Sequence, residues 1–465
     1  MGDTSTLKQK TESIVETVLD YIHKDQRILI IGHNDADGIA SATLMAKALL
    51  HLQARFTLRI FSELSPISLA TVKKTEQDFH IFCDLGGGQI KEIRKLFAEK
   101  WIIIDHHQVS KDELLDPNVI NSWAFNFDGG IDACATTMAY QVASQIDRQL
   151  RNSSWLPVVA SLADLQDQGE KHSLTGLNKN VLDEAKNLGI VKEAVDLIFY
   201  GRETKPIHES IATTTTPFIA GLSGNRDACL TALTQSGINL KKNDHWRTIS
   251  ELSDEEKTKV AETVMPYIGG EGKIEDVIGQ TYTLQREDEH SHLRDAREFG
   301  DVLNACGRMK MPSIGIGLCI GDRRLSLTES EKILLEYRKR ISQVVKLVIE
   351  DTKYIVEKNS FNFVLGEKII DEELTGAISS VLSGTPKFSS KPILVSTKTK
   401  SNELRISARF GIRYTGKGNL GVSINKIAKK IGGRGGGHKA AAGATIPFKE
   451  KDSFINSFEE ELANS

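Results

Sequence analysis

The sequence predicts an α/β protein of several domains. A parallel-sheet N-terminal domain carries a helical insertion, and a long connecting helix leads to a smaller C-terminal α/β domain. Three observations predict this. From Arg27 onward, short apolar runs alternate with helical stretches, the pattern of a parallel sheet with helices on both faces. Residues 327–357 are highly charged yet keep apolar residues at helical spacing, which marks a long amphipathic helix. After Asn359, four more strand-like runs and one helical stretch follow. The length of 465 residues suits two or three domains. A hydrophobic content of 40% is enough for sizeable cores.

In chain order, "RILIIGH" reads as a buried strand, "GIASATLMAKALLHL" as a helix and "ARFTLRIF" as a strand. "HIFCDLGGG" and "WIIIDHH" are strands on either side of the helix "IKEIRKLFAE". "ACATTMAYQVASQI" and "WLPVVASLADLQDQG" are helices. Residues 185–300 hold a threonine run at 213–216, "FIAGLSG" and the charged stretch "ISELSDEEKTKVAETVM", and read as a helical insertion. Thr328 and Glu331 have the spacing of a capping box at the start of the long helix. "FNFVLG", "PILVST", "LRISARF" and "AAAGATIP" are the late strands, and "GVSINKIAKKIG" is their helix. The expected domains are residues 1–185, an insertion and return over 186–326, the connecting helix 327–357, and 358–465.

Composition excludes several classes. Formal net charge is -3, so any surface for a polyanion must be local. Five scattered cysteines without a CxxC pair exclude zinc knuckles and a secreted disulfide framework, and fit reduced core thiols. No run reaches the length of a membrane span, and "MGDTSTLKQKTES" has no apolar signal core. The expectation is a cytoplasmic protein.

Three strand-like runs end in polar, metal-capable residues: His33, Asp35 and Asp37; Asp84; and Asp105, His106 and His107. In open α/β sheets, ligands collect outside the carboxyl ends of the strands. His33, Asp35 and Asp37 lie at i, i+2 and i+4, so at a strand end running into a helix they can ring one point. Asp84, His106 and Asp164 bring the set to two histidines and four carboxylates. Imidazole and carboxylate without thiolate suits manganese or magnesium better than structural zinc. The ligand number suits two ions if one carboxylate bridges them, as in phosphoester hydrolysis.

"HNDADG", "CDLGGG", "DHH" and "ADLQD" resemble the four successive motifs of the DHH phosphoesterase superfamily. "GGRGGGHKAAAGATI" resembles the glycine-rich motif of the associated DHHA1 domain. "TTTTPFIAGLSG" and "REFGDVLNACGRMKMPSIGIGLCIGD" (residues 297–322) resemble segments of archaeal RecJ-like single-strand exonucleases. The resemblance implies a parallel-sheet DHH catalytic domain and a DHHA1 substrate-binding domain. It implies that His33 and Asp35 bind a first Mn²⁺, that Asp37, His106 and Asp164 bind a second, and that Asp84 bridges both, with Mg²⁺ as the alternative metal. It also implies that His107 faces the scissile phosphate and that Asp105 orients the histidines. Asp167 is read as a helix-end residue.

Residues 387–439 contain 13 Lys and Arg and one acidic residue, Glu403, which fits a polyanion partner. Within them, Gly435, Gly436 and Gly437 let backbone N–H groups approach an anion, while Arg434, His438 and Lys439 add charge. Ser407 and Arg409 share one strand face and resemble the family's phosphate-gripping Ser-x-Arg. Phe410 and Tyr414 are candidates for stacking a base, or for the core. Asn304 and Arg308 reach the site if their segment folds back onto the first domain; otherwise "SIGIGLCIG" reads as a buried strand.

The resemblance implies a Mn²⁺-dependent exonuclease acting on single-stranded DNA or RNA, 5′→3′ favoured, in DNA replication and repair. The alternatives are a short-oligonucleotide hydrolase or bisnucleotide phosphatase, and a scaffold docking on replication-helicase assembly proteins. No membrane partner is expected.

Overall fold

The computed structural model describes residues 2–214, 219–268 and 274–463. The chain folds as two compact units. One holds the chain up to Ile198 together with Ile278–Leu334, and the other holds Phe199–Val277 and the chain from Leu335 onward.

The first unit is built on five strands: β1 (Ile28–His33), β2 (Phe56–Phe61), β3 (Phe79–Cys83), β4 (Trp101–Asp105) and β5 (Val119–Asn121), in the order β2-β1-β3-β4-β5. All four pairings are parallel. One face packs Leu29, Ile31, Phe82, Trp101 and Ile103 against Leu69, Val72, Ile90, Ile93 and Phe97 of the helices Pro66–Lys73 and Ile90–Phe97. The other face is covered by the helices Ala36–His51 and Ala135–Ile146. The helix Ala36–His51 is buried on nearly every side, which its run of Ala, Gly and Ser permits. Register decides where the chemistry falls. Gly32 is level with Cys83, and Cys83 with Ile104. One residue further along each strand, His33, Asp84 and Asp105 therefore reach the same edge of the sheet.

The chain stays with the first unit beyond the expected boundary at 185, because β6 (Val191–Leu197) belongs to it. It then leaves for the helices Ile207–Thr213, Arg226–Gln235 and Asp254–Val264 and a small hairpin, β7 (Lys241–Lys242) and β8 (His245–Trp246). Thr213 closes the first of these helices, and Thr214 accepts a hydrogen bond from the Tyr200 amide at 2.8 Å; Thr215 and Thr216 lie outside the described residues. The chain re-enters the first unit as β9 (Ile278–Leu284), antiparallel to β6.

Two expectations need correction. "SIGIGLCIG" is not a strand but the helix Pro312–Ile320, with Pro312 in its first turn. Apolar residues at every second position mimic a strand. Gly315, however, lies close to Ile39, Leu303 and Cys306, a side-by-side helix packing that only a small residue allows. The long helix runs Leu325–Glu350, not 327–357, and no capping box forms at Thr328 and Glu331. Thr328 already lies inside the helix and bonds back to the Arg324 carbonyl. The start is held by Asp322, whose carboxylate accepts from the Arg324 and Ser326 amides and the Ser326 hydroxyl. At the far end the chain turns into a strand, β10 (Ile355–Glu357).

The second unit's main sheet combines β10 with β11 (Asn362–Leu365), β12 (Ile393–Lys398), β13 (Glu403–Arg409), β14 (Arg434–Gly437) and β15 (Ala441–Pro447), ordered β10-β11-β12-β13-β15-β14. It is mixed, with only β11 and β12 parallel. One face packs on Leu420, Ile424, Phe454 and Phe458 from the helices Leu420–Lys430 and Lys451–Ala463. The other packs on Ile378 and Leu382 of the helix Thr375–Gly384 and on Val348. All five cysteines are buried and free, as composition suggests. No helix among the described residues is long and apolar enough to cross a membrane.

Candidate metal centre

The edge of the parallel sheet gathers the six candidate ligands. Asp35 caps the helix Ala36–His51 through the Gly38 amide, so the "HNDADG" run turns from strand to helix between His33 and Asp37. Asp84 follows β3 in a left-handed conformation with φ of 62°, which a short polar side chain tolerates. Asp164 lies at the end of the helix Trp155–Ala163.

The six candidate ligands form two groups there. His33, Asp35 and Asp84 make one, and Asp37, His106 and Asp164 the other. Asp84 and His106 also stand with Asp105 and His107 in a third. His33 Nδ1 is 2.6 Å from Asp35 and 3.3 Å from Asp84 Oδ2. His106 Nε2 is 3.3 Å from the other Asp84 oxygen, 3.6 Å from Asp37 and 3.8 Å from Asp164. One Asp84 oxygen thus faces each group. The buried His33 Nδ1 has no aligned hydrogen bond despite its two carboxylate neighbours. A buried nitrogen flanked by two carboxylates can give up its proton to a cation that binds all three. The donor set is nitrogen and oxygen without sulfur, which fits a hard divalent ion.

Electrostatics agree. Burial first, and the Asp84 charge second, push the Asp37 carboxyl up to about 7. Burial also raises Asp164. Burial would depress His33, but the Asp35 charge and its other acidic neighbour outweigh it and lift the ring to about 10. His106 rises in the same way, against burial, through Asp84, Asp164 and Asp37. The cluster therefore holds protons that a bound cation would displace.

The supports are specific. Asp37 accepts from the Ala135 and Thr136 amides at 2.7 and 2.8 Å and from the Thr136 hydroxyl at 2.6 Å, at a helix N-terminus that favours its charge. His106 Nδ1 bonds the Gly129 carbonyl at 2.6 Å, which leaves Nε2 as the ligand atom. Asp105 accepts from the His106 and His107 amides, the Gly87 amide and His107 Nδ1. Burial opposes its charge, but these bonds and the histidines hold it well below the usual carboxylate range. It anchors the "DHH" turn, and the half-exposed His107 ring rides on it.

Residues 296–308 do fold back onto the first unit. Asn304 Oδ1 accepts from the Ala36 amide at 2.9 Å. Arg308 donates to Asn34 Oδ1 at 2.8 Å and reaches Asp35 at 3.4 Å. These two residues grip the "HNDADG" loop itself. Asp167 lies beyond its helix and pairs with Arg297 at 2.5 Å, anchoring the start of the helix Ala296–Arg308. Sequence reasoning missed Gly129, Thr136, Gln166 and Gly307. Only Gln166 carried a signal, as the neutral amide inside "ADLQD".

Gly307 allows the grip, since a Cβ there would stand 1.9 Å from the Asn34 carbonyl oxygen. In an open helix, alanine would stabilise by about 1 kcal/mol. Here Gly307→Ala is expected to cost about 1–3 kcal/mol through overpacking, read from the midpoint of chemical denaturation. An unchanged or higher midpoint would refute the close approach.

In the second unit, Ser407 donates to Thr375 Oγ1 at 3.0 Å, and Arg409 ends the same strand, opposite Ala441. Arg434 does not stand as unneutralised charge: its guanidinium meets both Glu403 oxygens, at 2.9 and 3.3 Å. The glycine run forms the edge strand β14. Gly435 packs near Ile424 and Ala428, while a Cβ on Gly436 would meet nothing within 4 Å. The strand thus presents bare backbone. His438 follows in a tight turn, its amide donating to the Ala441 carbonyl and its carbonyl accepting from Gly421. Phe410 and Tyr414 stack on each other, centroids 4.9 Å apart, and Phe410 packs against the core.

Comparison with known proteins accords with this architecture. Residues 27–165 match the DHH family, N-terminal domain; 199–279 match the DHH-CID domain; and 351–464 match the DHHA1 domain. An uncharacterized protein of Methanocaldococcus jannaschii, MJ0831, is 29% identical over 99% of this chain and 98% of its own length. The structure of CDC45 from Entamoeba histolytica is similar at a TM-score of 0.63 and 11% identity, covering 98% of this chain and 99% of that one. The structure of RecJ in complex with Mn²⁺ from Thermus thermophilus is similar at a TM-score of 0.56 and 14% identity, covering 99% of this chain. The present chain spans 55% of that RecJ. With three successive domains matched and a ligand cluster at the edge of the DHH sheet, the chain belongs to the DHH/DHHA1 phosphoesterase superfamily and has a RecJ-like fold.

Proposed function

We propose that the protein is a two-metal exonuclease specific for single strands. It hydrolyses the phosphodiester bonds of DNA, and of RNA as a second substrate, with 5′→3′ digestion favoured, in DNA replication and repair. The observation that carries this reading is the pair of ligand groups sharing Asp84. His33 and Asp35 would hold one divalent cation, Asp37, His106 and Asp164 the other, and Asp84 both. Manganese suits the set, with magnesium as the alternative, and the similar RecJ structure is itself a complex with Mn²⁺. Bound there, such a pair supplies charge to the attacking and leaving oxygens and a deprotonated water.

The chain's own residues do the rest. Asp105 fixes His107 Nδ1 at 2.7 Å, so Nε2 is the ring atom that acts on the scissile phosphate. Asn304 and Arg308 keep the first ligand loop in place and sit beside Asn34 and Asp35, within reach of a bound phosphate. Ser407, Arg409, Gly435, Gly436, Gly437 and His438 form the grip on the nucleic-acid backbone. The bare edge of β14 admits a phosphate close to its N–H groups.

One gel tests this. The protein is incubated with Mn²⁺ and long single strands of DNA or RNA, labelled at either end. Mononucleotide release from the 5′ label, with the 3′ label laddering down, is expected. Turnover of di- to tetranucleotides alone would replace this reading with a short-oligonucleotide hydrolase. A second reading, a scaffold that docks on a replication-helicase assembly, is compatible with the full-length likeness in fold to CDC45. It takes over if no strand is cut and the protein co-purifies with replication proteins.

A further inference from the structure

We propose that Gln166 and Asn178 are positioning residues: a buried amide relay that fixes all three ligands of the second ion. The inference rests on the two-ion reading above and extends it to residues outside the ligand set. Both side chains are buried, at 0% and 1% exposure. Gln166 Nε2 donates to Asp164 Oδ2 at 2.8 Å and to the Gly129 carbonyl at 2.9 Å. The same carbonyl accepts from His106 Nδ1 at 2.6 Å. Gln166 Oε1 accepts from Asn178 Nδ2 at 2.7 Å. Asn178 Oδ1 in turn accepts from the Thr137 hydroxyl at 2.6 Å and the Cys134 amide at 3.3 Å. Cys134 caps the helix and Thr137 lies in its first turn, and the amides between them, Ala135 and Thr136, hold Asp37. Asp164, His106 and Asp37 are therefore joined through two amides.

The relay has a single workable orientation. Flipping Gln166 would set its oxygen against the Asp164 carboxylate and the Gly129 carbonyl, two acceptors. Flipping Asn178 would set its NH₂ against the Cys134 amide, a donor. Each amide therefore locks the other. One bond fixes the Asp164 carboxylate directly. The shared carbonyl fixes the His106 tautomer that leaves Nε2 for a metal. Partners of this kind are worth about 10–100-fold in metal affinity. None of the first ion's ligands touches the relay except Asp84, through His106.

The test is a calorimetric Mn²⁺ titration of the full chain, with an EPR spectrum at two equivalents and a thermal melt in chelator. An Asp164→Asn variant, which strips the second site, identifies its binding step. The wild type is expected to take up two ions and give a spin-coupled pair. Gln166→Leu should weaken the second step roughly 10–100-fold, leave the first unchanged and abolish the coupled signal at two equivalents. Asn178→Ala removes the donor to Gln166 Oε1 without adding charge and leaves the Gln166–Asp164 bond in place. It should act in the same direction and more weakly, even if the leucine variant folds poorly. Unchanged second-step affinity in both variants overturns the relay. Loss of both steps together with a lowered melt also overturns it, because the pair would then be a fold element. A wild type that binds fewer than two ions overturns the two-ion reading first, and the relay with it.

Discussion

Asp84→Asn should lower strand cleavage by on the order of 10³-fold or more, the equivalent of several kcal/mol of lost charge stabilisation in the transition state. The substitution is chosen for its backbone. Asp84 has φ of 62°, a conformation asparagine adopts readily and alanine does not. The variant therefore changes charge and little else. One carboxylate oxygen faces His33 and the other His106, so a single substitution weakens both ion sites at once. Mn²⁺ uptake measured by calorimetry should drop from two ions to one at most. Cleavage at the wild-type rate, with both ions bound, would sink the two-metal mechanism.

His438→Ala should act on a different quantity. A hydrogen bond to a charged phosphate is worth about 1.5–3 kcal/mol, so kcat/KM should fall by roughly 10–100-fold. Mn²⁺ content and the thermal melt should stay as in the wild type. The backbone gives reason to expect a clean result, since the His438 turn is held by its own amide and carbonyl, to Ala441 and Gly421. Removing the ring leaves that turn standing. Steady-state kinetics on a labelled single strand, beside metal analysis, decides the matter. Loss of bound metal in this variant would mean that His438 serves the cations and not the strand.

What the sequence makes legible is local. An apolar run that ends in a carboxylate or imidazole states both a strand and its functional end. His33, Asp84 and Asp105 could thus be placed on one edge from the pattern of residues alone. The parallel sheet, its covering helices and a second, smaller α/β unit follow from the same patterns, whereas the mixed order of the C-terminal sheet does not. What stays hidden depends on contacts between distant segments. Gly129 looks like any turn glycine, yet its carbonyl sets the His106 tautomer. Gly307 looks like a helix defect, yet it allows a helix to lie against the ligand loop. The run from Ser313 to Gly321 alternates like a strand, and tertiary packing makes most of it helical. Arg434 sits in a basic stretch, but its guanidinium belongs to the one carboxylate in that stretch, Glu403. The glycine run is permissive of many conformations, so sequence alone cannot distinguish an anion-binding loop from a bare edge strand.

The pairing of β6 with β9 bears on how the protein is made. Val191 lies opposite Leu284, and Leu197 opposite Ile278, with the second unit's helices threaded between them in the chain. Loop closure over such an excursion costs only about (3/2)RT ln n in free energy, so the finished fold carries little penalty. Its cost is in time. On the ribosome the five-stranded sheet can close early, whereas β6 must wait for β9 until the helices of Phe199–Val277 have been made. Until then β6 lacks its partner strand. Non-local assembly of this kind is slow and prone to aggregation. Heterologous production should therefore improve with slower synthesis or added chaperone, and a chain cut before Ile278 should leave β6 the first target of proteases.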